Sequence, residues 1–381
     1  MGYVAVRGGE DAIANAEALL DVYRRRGGGE PLAVDAIAGQ LRLAVDRVMA
    51  EGSLYDPTLA ALALKQAEGD LIEAAFLLRA YRSTLPRIDV TPPLDTDATR
   101  LIRRISAAFK DVPGGQMLGP TRDYTQRLLD FSLLQDPEVR PDPPRADLSA
   151  EPLDEPRRVD RVSTFLRREG LLATPEGDPS EPVDITRQVV KFPLPRAARL
   201  QTLARGEEGG MLTLAYSSMR GFGNVHPTVA ELRVGYVPVS VCVPGLQAPV
   251  VIGEVLATEV EVIARYGRCG EPGEQPPAFT LGYGFTFGHN ERRAITMAVL
   301  DRALVTETPT GSVTSPAGAT ITAAPASAAP VSDQEFVLMH IDGIEAQGFA
   351  NHWKLPHYVD FQSELDRLRA LRATAAVDVP A

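Results

Sequence analysis

The feature that most constrains the fold is a change of rhythm along the chain. Up to about residue 90, apolar side chains recur at three- and four-residue intervals between Gly and Pro breaks, the spacing of amphipathic helices. Asp11–Arg26 places Ile13, Ala16, Leu19, Leu20, Val22 and Tyr23 in this way, then stops on three arginines followed by three glycines. A basic last turn with glycine beyond it is a helix stop. Ala33–Glu51 reads as a second helix closed by Gly52. Asp56-Pro57 opens a third, with Asp as N-cap and Pro in the first turn. Asp70 and Glu73 stand at capping-box spacing at the head of a fourth, Leu71–Tyr81.

From Arg205 the pattern turns to valine-rich runs and glycine turns. Met211–Tyr216, Glu231–Val243, Pro249–Glu259 and Ala278–Phe287 read as strands, with Tyr3–Val6 as a short first one and Glu335–His340 as the last. Ala98–Lys110, Asp123–Phe131, Arg158–Glu169, Glu291–Leu304 and Asp360–Leu371 read as further helices, and the polar side of the first of these carries Arg100, Arg103 and Arg104. The expected class is α+β: a helical N-terminal unit followed by a mixed, largely antiparallel sheet region with flanking helices. Six segments follow from the punctuation: a helical unit (1–90), a helix–loop–helix with a glycine-rich loop (91–135), a Pro-rich connection with a short helix (136–200), a β-rich catalytic region (201–305), a low-complexity linker (306–332) and a C-terminal segment with a histidine motif and helix (333–381). The linker, an Ala/Thr/Pro/Ser tract, cannot bury enough apolar surface to offset chain entropy.

Charge narrows the function classes. Lys and Arg number 39 against 50 Asp and Glu, a net −11, which argues against a nucleic-acid or anionic-membrane surface as the main partner. No run approaches the roughly 18 apolar residues of a membrane span. Met1–Glu10 has one cation and no apolar core of a signal peptide, so a cytoplasmic protein is expected. Cys242 and Cys269 form no disulfide framework and are expected as buried small apolar side chains.

Four places concentrate chemistry. Between Lys110 and Thr121 a loop with Gly114, Gly115 and Gly119 offers backbone N–H groups to an anion, although the order of a Walker loop is absent. Glu207, Glu208, Arg220, two serines and His226 fall within about twenty residues on glycine hinges, the density an active site needs. Glu254 lies on the following valine-rich strand with Glu259 and Glu261. Gly288-His289-Asn290 precedes a helix whose first turn holds Arg292 and Arg293, cations that oppose the helix dipole and so answer to something outside the helix. The fourth place, Glu335–Phe361, has three of the five histidines and the only tryptophan. His352 and His357 fall within the spacing of zinc sites, and Pro356 favours an extended loop over a helix there. Two ligands are too few; His340, Asp342, Asp360, a partner chain or a bound phosphate would complete the shell. Equally, the two rings could be ordinary hydrogen-bonded residues.

Glu335–Phe361 (EFVLMHIDGIEAQGFANHWKLPHYVDF), Leu62–Leu85, Ile105–Phe131 and Gly282–Leu304 closely resemble motifs of the I-subunit family, PhnI, of the bacterial carbon–phosphorus lyase core complex, and the likeness runs from Tyr3 to about Leu371. The resemblance implies a transferase subunit that displaces adenine from ATP with methylphosphonate, giving α-D-ribose 1-methylphosphonate 5-triphosphate, and that acts alone as a nucleosidase. It implies G, H and J subunits as partners, a K subunit docking to that core, and an L protein acting with it. It also implies zinc at His352 and His357, shared with a partner. For substitution at the ribose anomeric carbon, Glu207, Glu208 and Glu254 are the candidate catalytic carboxylates. Lys110, Gly114, Gly115 and Arg220 are the candidate triphosphate clamp. Thr306–Val331 and Asp136–Asp160 are longer than the family pattern, and His289 stands outside it, so it is left out of the metal set. A scaffold subunit that completes a metal site at a partner interface is the competing reading. A free-standing zinc hydrolase is a weaker third, because no three-ligand motif is present.

Overall fold

In the computed structural model, residues 9–26, 30–126, 128–134, 159–172, 181–219, 227–266, 278–305, 312–314, 320–322, 330–352, 354, 362–363 and 365–370 are described. The chain divides into two units: Met1–Ala33 with Ile344–Ala381, and Val34–Gly343. The first contains α1 (Glu10–Arg24), which buries none of its residues and exposes Ile13, Leu19 and Val22.

The second unit begins with four helices: α2 (Val34–Gln40), α3 (Arg42–Gly52), α4 (Pro57–Gln66) and α5 (Leu71–Thr84). The single helix expected over Ala33–Glu51 is broken at Leu41, whose backbone leaves the helical region. The caps are as the sequence anticipates. Asp56 accepts from the Leu59 amide at 2.9 Å, and Asp70 accepts from Ile72 and Glu73 at 3.0 and 3.1 Å. Ile37, Val45, Val48, Met49, Ala60, Leu64, Ala74 and Leu78 form the core of this bundle.

Next come β1 (Arg100–Ile105), α6 (Val162–Arg168), α7 (Arg196–Arg205), α8 (Glu208–Met219), β2 (Thr228–Val241), β3 (Val250–Tyr266), β4 (Ala278–Phe287) and α9 (Glu291–Val305). The four strands make one antiparallel sheet in chain order, which agrees with the expected α+β class. A separate two-stranded ribbon, β5 (Ser312–Thr314) and β6 (Thr320–Thr322), precedes α10 (Gln334–His340) and α11 (Gly343–His352).

The two faces of the sheet differ in chemistry. One carries Leu232, Val234, Val260 and Val262 against Leu203, Met211, Met297 and Leu300 of α7, α8 and α9. There α9 lies close on β4: a Cβ at Gly282 or Gly284 would come within 2.0 Å of the Ala298 or Ala294 carbonyl oxygen. The bulky–small alternation of AFTLGYGFTF is thus the seat of a helix. The other face carries buried charge beside α6. Arg104 pairs with Glu231. Arg161 reaches Glu259 at 3.0 Å and Asp97 at 2.6 Å, and Arg233 reaches Glu259 at 3.3 Å.

Five expectations are corrected. Ala98–Lys110 is not a helix: Arg100–Ile105 is the edge strand β1, paired to β2, and Arg103 and Arg104 are interior. Their partners (Leu118, Asp123 and Glu291 for one, Glu231 and Pro113 for the other) are remote in sequence, so periodicity could not show that these cations are satisfied inside. Met211–Tyr216 belongs to a helix, α8, and Glu335–His340 to another, α10; Asp333 caps the latter by accepting from the Phe336 amide at 2.9 Å. Both are short apolar runs, in which strand and helix look alike. Asp123–Phe131 has no α-helix among its described residues, and a single 3-10 turn follows at Phe131–Leu134. Cys242, expected inside, is exposed just past the end of β2. Tyr3–Val6 and Cys269 lie outside the described residues, whereas 362–363 and 365–370 are helical as expected. None of the described helices is long and apolar enough to cross a membrane.

Candidate active site

Four helix beginnings open onto one cleft of about 1140 Å³: α3 at Arg42, α5 at Leu71, α8 at Glu208 and α9 at Glu291. Helix N-termini are positive dipole ends that favour anions, although the leading amides of α8 are already taken by the carboxylates of Glu51 and Glu207. The walls also bear Arg42, Arg47, Arg122 and Arg292, opposed by Asp123, Glu208 and Glu291. Among the described residues neither Arg42 nor Arg122 has a carboxylate within ion-pair distance, though the charge of Arg42 acts on Glu291 from farther off. Arg292 contacts Glu208 at 2.8 Å with 73% of its side chain exposed.

Beneath this surface lies a sealed layer. Glu51, fully buried on α3, accepts from Arg47 at 3.0 Å, Arg293 at 3.2 Å and the Glu208 amide at 2.9 Å. Burial pushes the Glu51 carboxyl above its ordinary range, against the pull of Arg293 and Arg47. Arg293 also donates to the Gly206 carbonyl at 2.6 Å and to that of Ala204. The two cations at the head of α9 therefore do answer to groups outside their helix, one to α8 and one to α3 and the end of α7. Glu291 is held by Arg103 at 2.9 Å; burial raises its carboxyl, Arg103 lowers it and Asp123 raises it again.

The sequence candidates separate on this frame. Glu207 is the cap of α8: its carboxylate accepts from the Gly209 and Gly210 amides, each at 2.7 Å, and from Arg47 at 2.5 Å. Glu208 faces the cleft. Glu254 stands apart on β3, ion-paired to Arg100 at 2.7 Å, and does not line the cleft. Lys110 is exposed on the loop after β1, where its carbonyl accepts from Gln116 at 2.8 Å. Gly114 and Gly115 both have positive φ; a Cβ on Gly114 would strike Val159 at 2.5 Å, so this glycine serves close packing. The downstream end of that loop, Pro120 to Gln126, does line the cleft. Arg220 and His357 lie outside the described residues, as does the side chain of His352 at the end of α11. Of the other suggested metal ligands, Asp342 is engaged by Arg79 at 2.7 and 2.9 Å, and the His340 ring nitrogen Nδ1 lies 2.7 Å from the Phe336 carbonyl. The described residues contain no group of three side chains able to hold a metal.

Sequence reasoning missed Arg42, Arg47, Glu51 and Arg122. Their signal was faint: Arg47 and Glu51 interrupt the apolar rhythm of a helix that otherwise reads as packing.

The model of a family described as bacterial phosphonate metabolism protein (PhnI) matches residues 2–375. The chain belongs to the PhnI family. It is 50% identical over 371 residues to the α-D-ribose 1-methylphosphonate 5-triphosphate synthase subunit PhnI of Escherichia coli (strain K12), covering 97% of this chain and 98% of that one. The subunit of the same name from Rhizobium meliloti (strain 1021) is 47% identical over 382 residues, 97% of this chain and 95% of the relative. A putative C-P lyase subunit protein HtxH from Stutzerimonas stutzeri is 51% identical over 379 residues, 98% and 97% of the two chains. The motifs that carried the resemblance thus sit in a PhnI chain matched along nearly its whole length.

Proposed function

We propose that this chain provides the ribosyl-transfer site of a carbon–phosphorus lyase complex. Methylphosphonate displaces adenine from ATP, forming α-D-ribose 1-methylphosphonate 5-triphosphate; with water as acceptor the same site acts as a nucleosidase. The observation that carries this reading is the cleft, in which guanidinium groups and helix N-termini stand beside the carboxylates Glu208 and Glu291. A triphosphate needs the first set. An anomeric carbon that gathers positive charge as its base departs is stabilised by the second. The volume exceeds the ~300–1,000 Å³ of ordinary ligand pockets, leaving room for a nucleotide and a second substrate.

Arg42, Arg122 and Arg292 form the clamp in this scheme, and Glu208 is the acid nearest the reacting ribose. The relatives' names support a synthase subunit. The helix α1, with its exposed Ile13, Leu19 and Val22, fits a chain that works inside an assembly; G, H and J subunits, the docking K subunit and the L protein are the proposed company. Zinc belongs to the proposal too, held by His352 and His357 with ligands from a partner, since Asp342 is already taken by Arg79. Its chemistry would be to polarise a bound oxygen.

Adenine release from ATP, followed by chromatography for the purified full-length chain and for its complex with partners, tests the assignment. Release by the chain with water, and formation of the phosphonate ester by the complex, are expected. A scaffold subunit would release no adenine as the isolated chain, even where the complex turns over.

A further inference from the structure

Part of the sheet extends beyond its neighbours. β1 covers β2 only from Leu232 to Tyr236, and β4 covers β3 only from Ala257 to Tyr266. Residues 237–241 and 250–255 therefore pair with each other alone, as a two-stranded ribbon running past both outer strands. The cover ends at Leu256, whose amide donates to Tyr55 Oη at 2.9 Å and whose carbonyl accepts from the Gly288 amide at 2.8 Å. Among the described residues no strand pairs with the outer edge of 250–255.

The ribbon also differs in chemistry from the rest of the chain. Charged residues make up 23% of the sequence, yet residues 234–253 include no Asp, Glu, Lys, Arg or His. Val243, Leu246, Val250, Val251 and Ile252 are exposed, Val251 by 60% and Ile252 by 63%. The pairing with β2 passes from Val251 to Gly253, so Ile252 is the extra residue of a bulge and the alternation of faces is broken there. Free edges are ordinarily blunted by charge or by proline. On β2 this is done by Pro238, which has no amide to offer. The edge of β3 has no proline from 250 to 255, and its one acid, Glu254, is paired to Arg100 at 2.7 Å.

A two-stranded ribbon is marginal in water by itself, and a third strand supplies what it lacks. We propose that residues 250–255 are a docking edge to which a different polypeptide adds an uncharged, apolar strand; this rests on the reading of the chain as one subunit of an assembly. Main-chain hydrogen bonds hold the added strand, and Val251 and Ile252 fix its register against apolar side chains of the partner. Charge selects the occupant. The ribbon has no cation for a nucleic acid or an anionic lipid. A lipid interior would leave the edge amides unsatisfied. Two copies of a chain of net charge −11 repel each other, which favours a partner of different sequence over a second copy.

The test uses the full-length chain, alone and purified with the partner subunits of its complex. Amide hydrogen exchange across 250–255 is expected to slow by at least about tenfold on assembly. The double variant Val251→Lys with Ile252→Lys should weaken assembly by at least about tenfold, followed by native mass spectrometry over a dilution series. Both side chains are exposed, so the unfolding midpoint of the isolated variant should not move; the exchange measurement needs no variant and stands if the lysines disturb the fold. Unchanged exchange at these amides in the complex, or undiminished assembly of the folded lysine variant, overturns the proposal. Slowing of the same amides in concentrated isolated chain overturns it in favour of a second copy, and slowing on neutral phosphatidylcholine vesicles overturns it in favour of lipid. If no other polypeptide stays bound to the wild-type chain, the subunit reading itself fails, and the docking edge with it.

Discussion

Arginine and glutamate gather at two places in the second unit, and the two gatherings behave oppositely. Under α6, the guanidinium groups of Arg104, Arg161 and Arg233 each have a carboxylate partner on the sheet or beside it. Around the cleft, the same residue types line an open space, and Arg42 and Arg122 face it without an ion pair to any described residue. The residue types alone do not separate structure from function; the state of their pairing does. A buried pair loses most of what it gains to desolvation, yet breaking it leaves a stranded charge. An exposed guanidinium contributes little to folding, so its charge remains for a ligand.

The largest effect should come from splitting a closed pair. Arg104→Ala leaves Glu231 buried and uncompensated, and should lower unfolding free energy by about 3–5 kcal/mol, read from the denaturant midpoint. If it costs under about 1 kcal/mol, the contrast between the two gatherings fails. At the cleft the expected pattern reverses. Arg42→Ala or Arg122→Ala should change stability by less than about 0.5 kcal/mol. Each should nevertheless weaken ATP binding about tenfold, near 1.4 kcal/mol, and the weakening should shrink as salt is raised. Calorimetric titration at two ionic strengths decides this.

The smallest effect is a slope. Burial, ahead of all other causes, raises the Glu261 carboxyl above its ordinary 4.5, while Ser163 and Arg161 lower it. A carboxyl whose folded pKa lies above its unfolded value contributes stability that is complete below the unfolded value and is lost as pH rises through the folded one. The stability of Glu261→Gln relative to the native chain should therefore increase as pH rises above 4.5, as measured by urea unfolding at a series of pH values. A flat difference would show that Arg161 already compensates the charge.

What the sequence disclosed follows the range of the interactions. The caps at Asp56 and Asp70 act over two or three residues and were legible. β4 was legible to its ends, because its alternation is local. β1 was not, since the evidence that Arg103 and Arg104 are interior lies in carboxylates far along the chain. At the site, the Gly288–Asn290 turn and Glu208 stood out in composition. Arg47 meets Glu207 across 160 residues and Asp46 meets His289 across 243, so α3 looked like mere packing.

The glycines of β4 have one more effect. Where α9 rests on Gly282 and Gly284, main chain meets main chain with no rotamer between them to yield. Whatever is mounted on the helix's leading turn inherits the stiffness of the sheet. An incoming ligand therefore finds one wall of its chamber immovable, and accommodation falls to the opposite side, where Pro120 to Gln126 form neither helix nor strand.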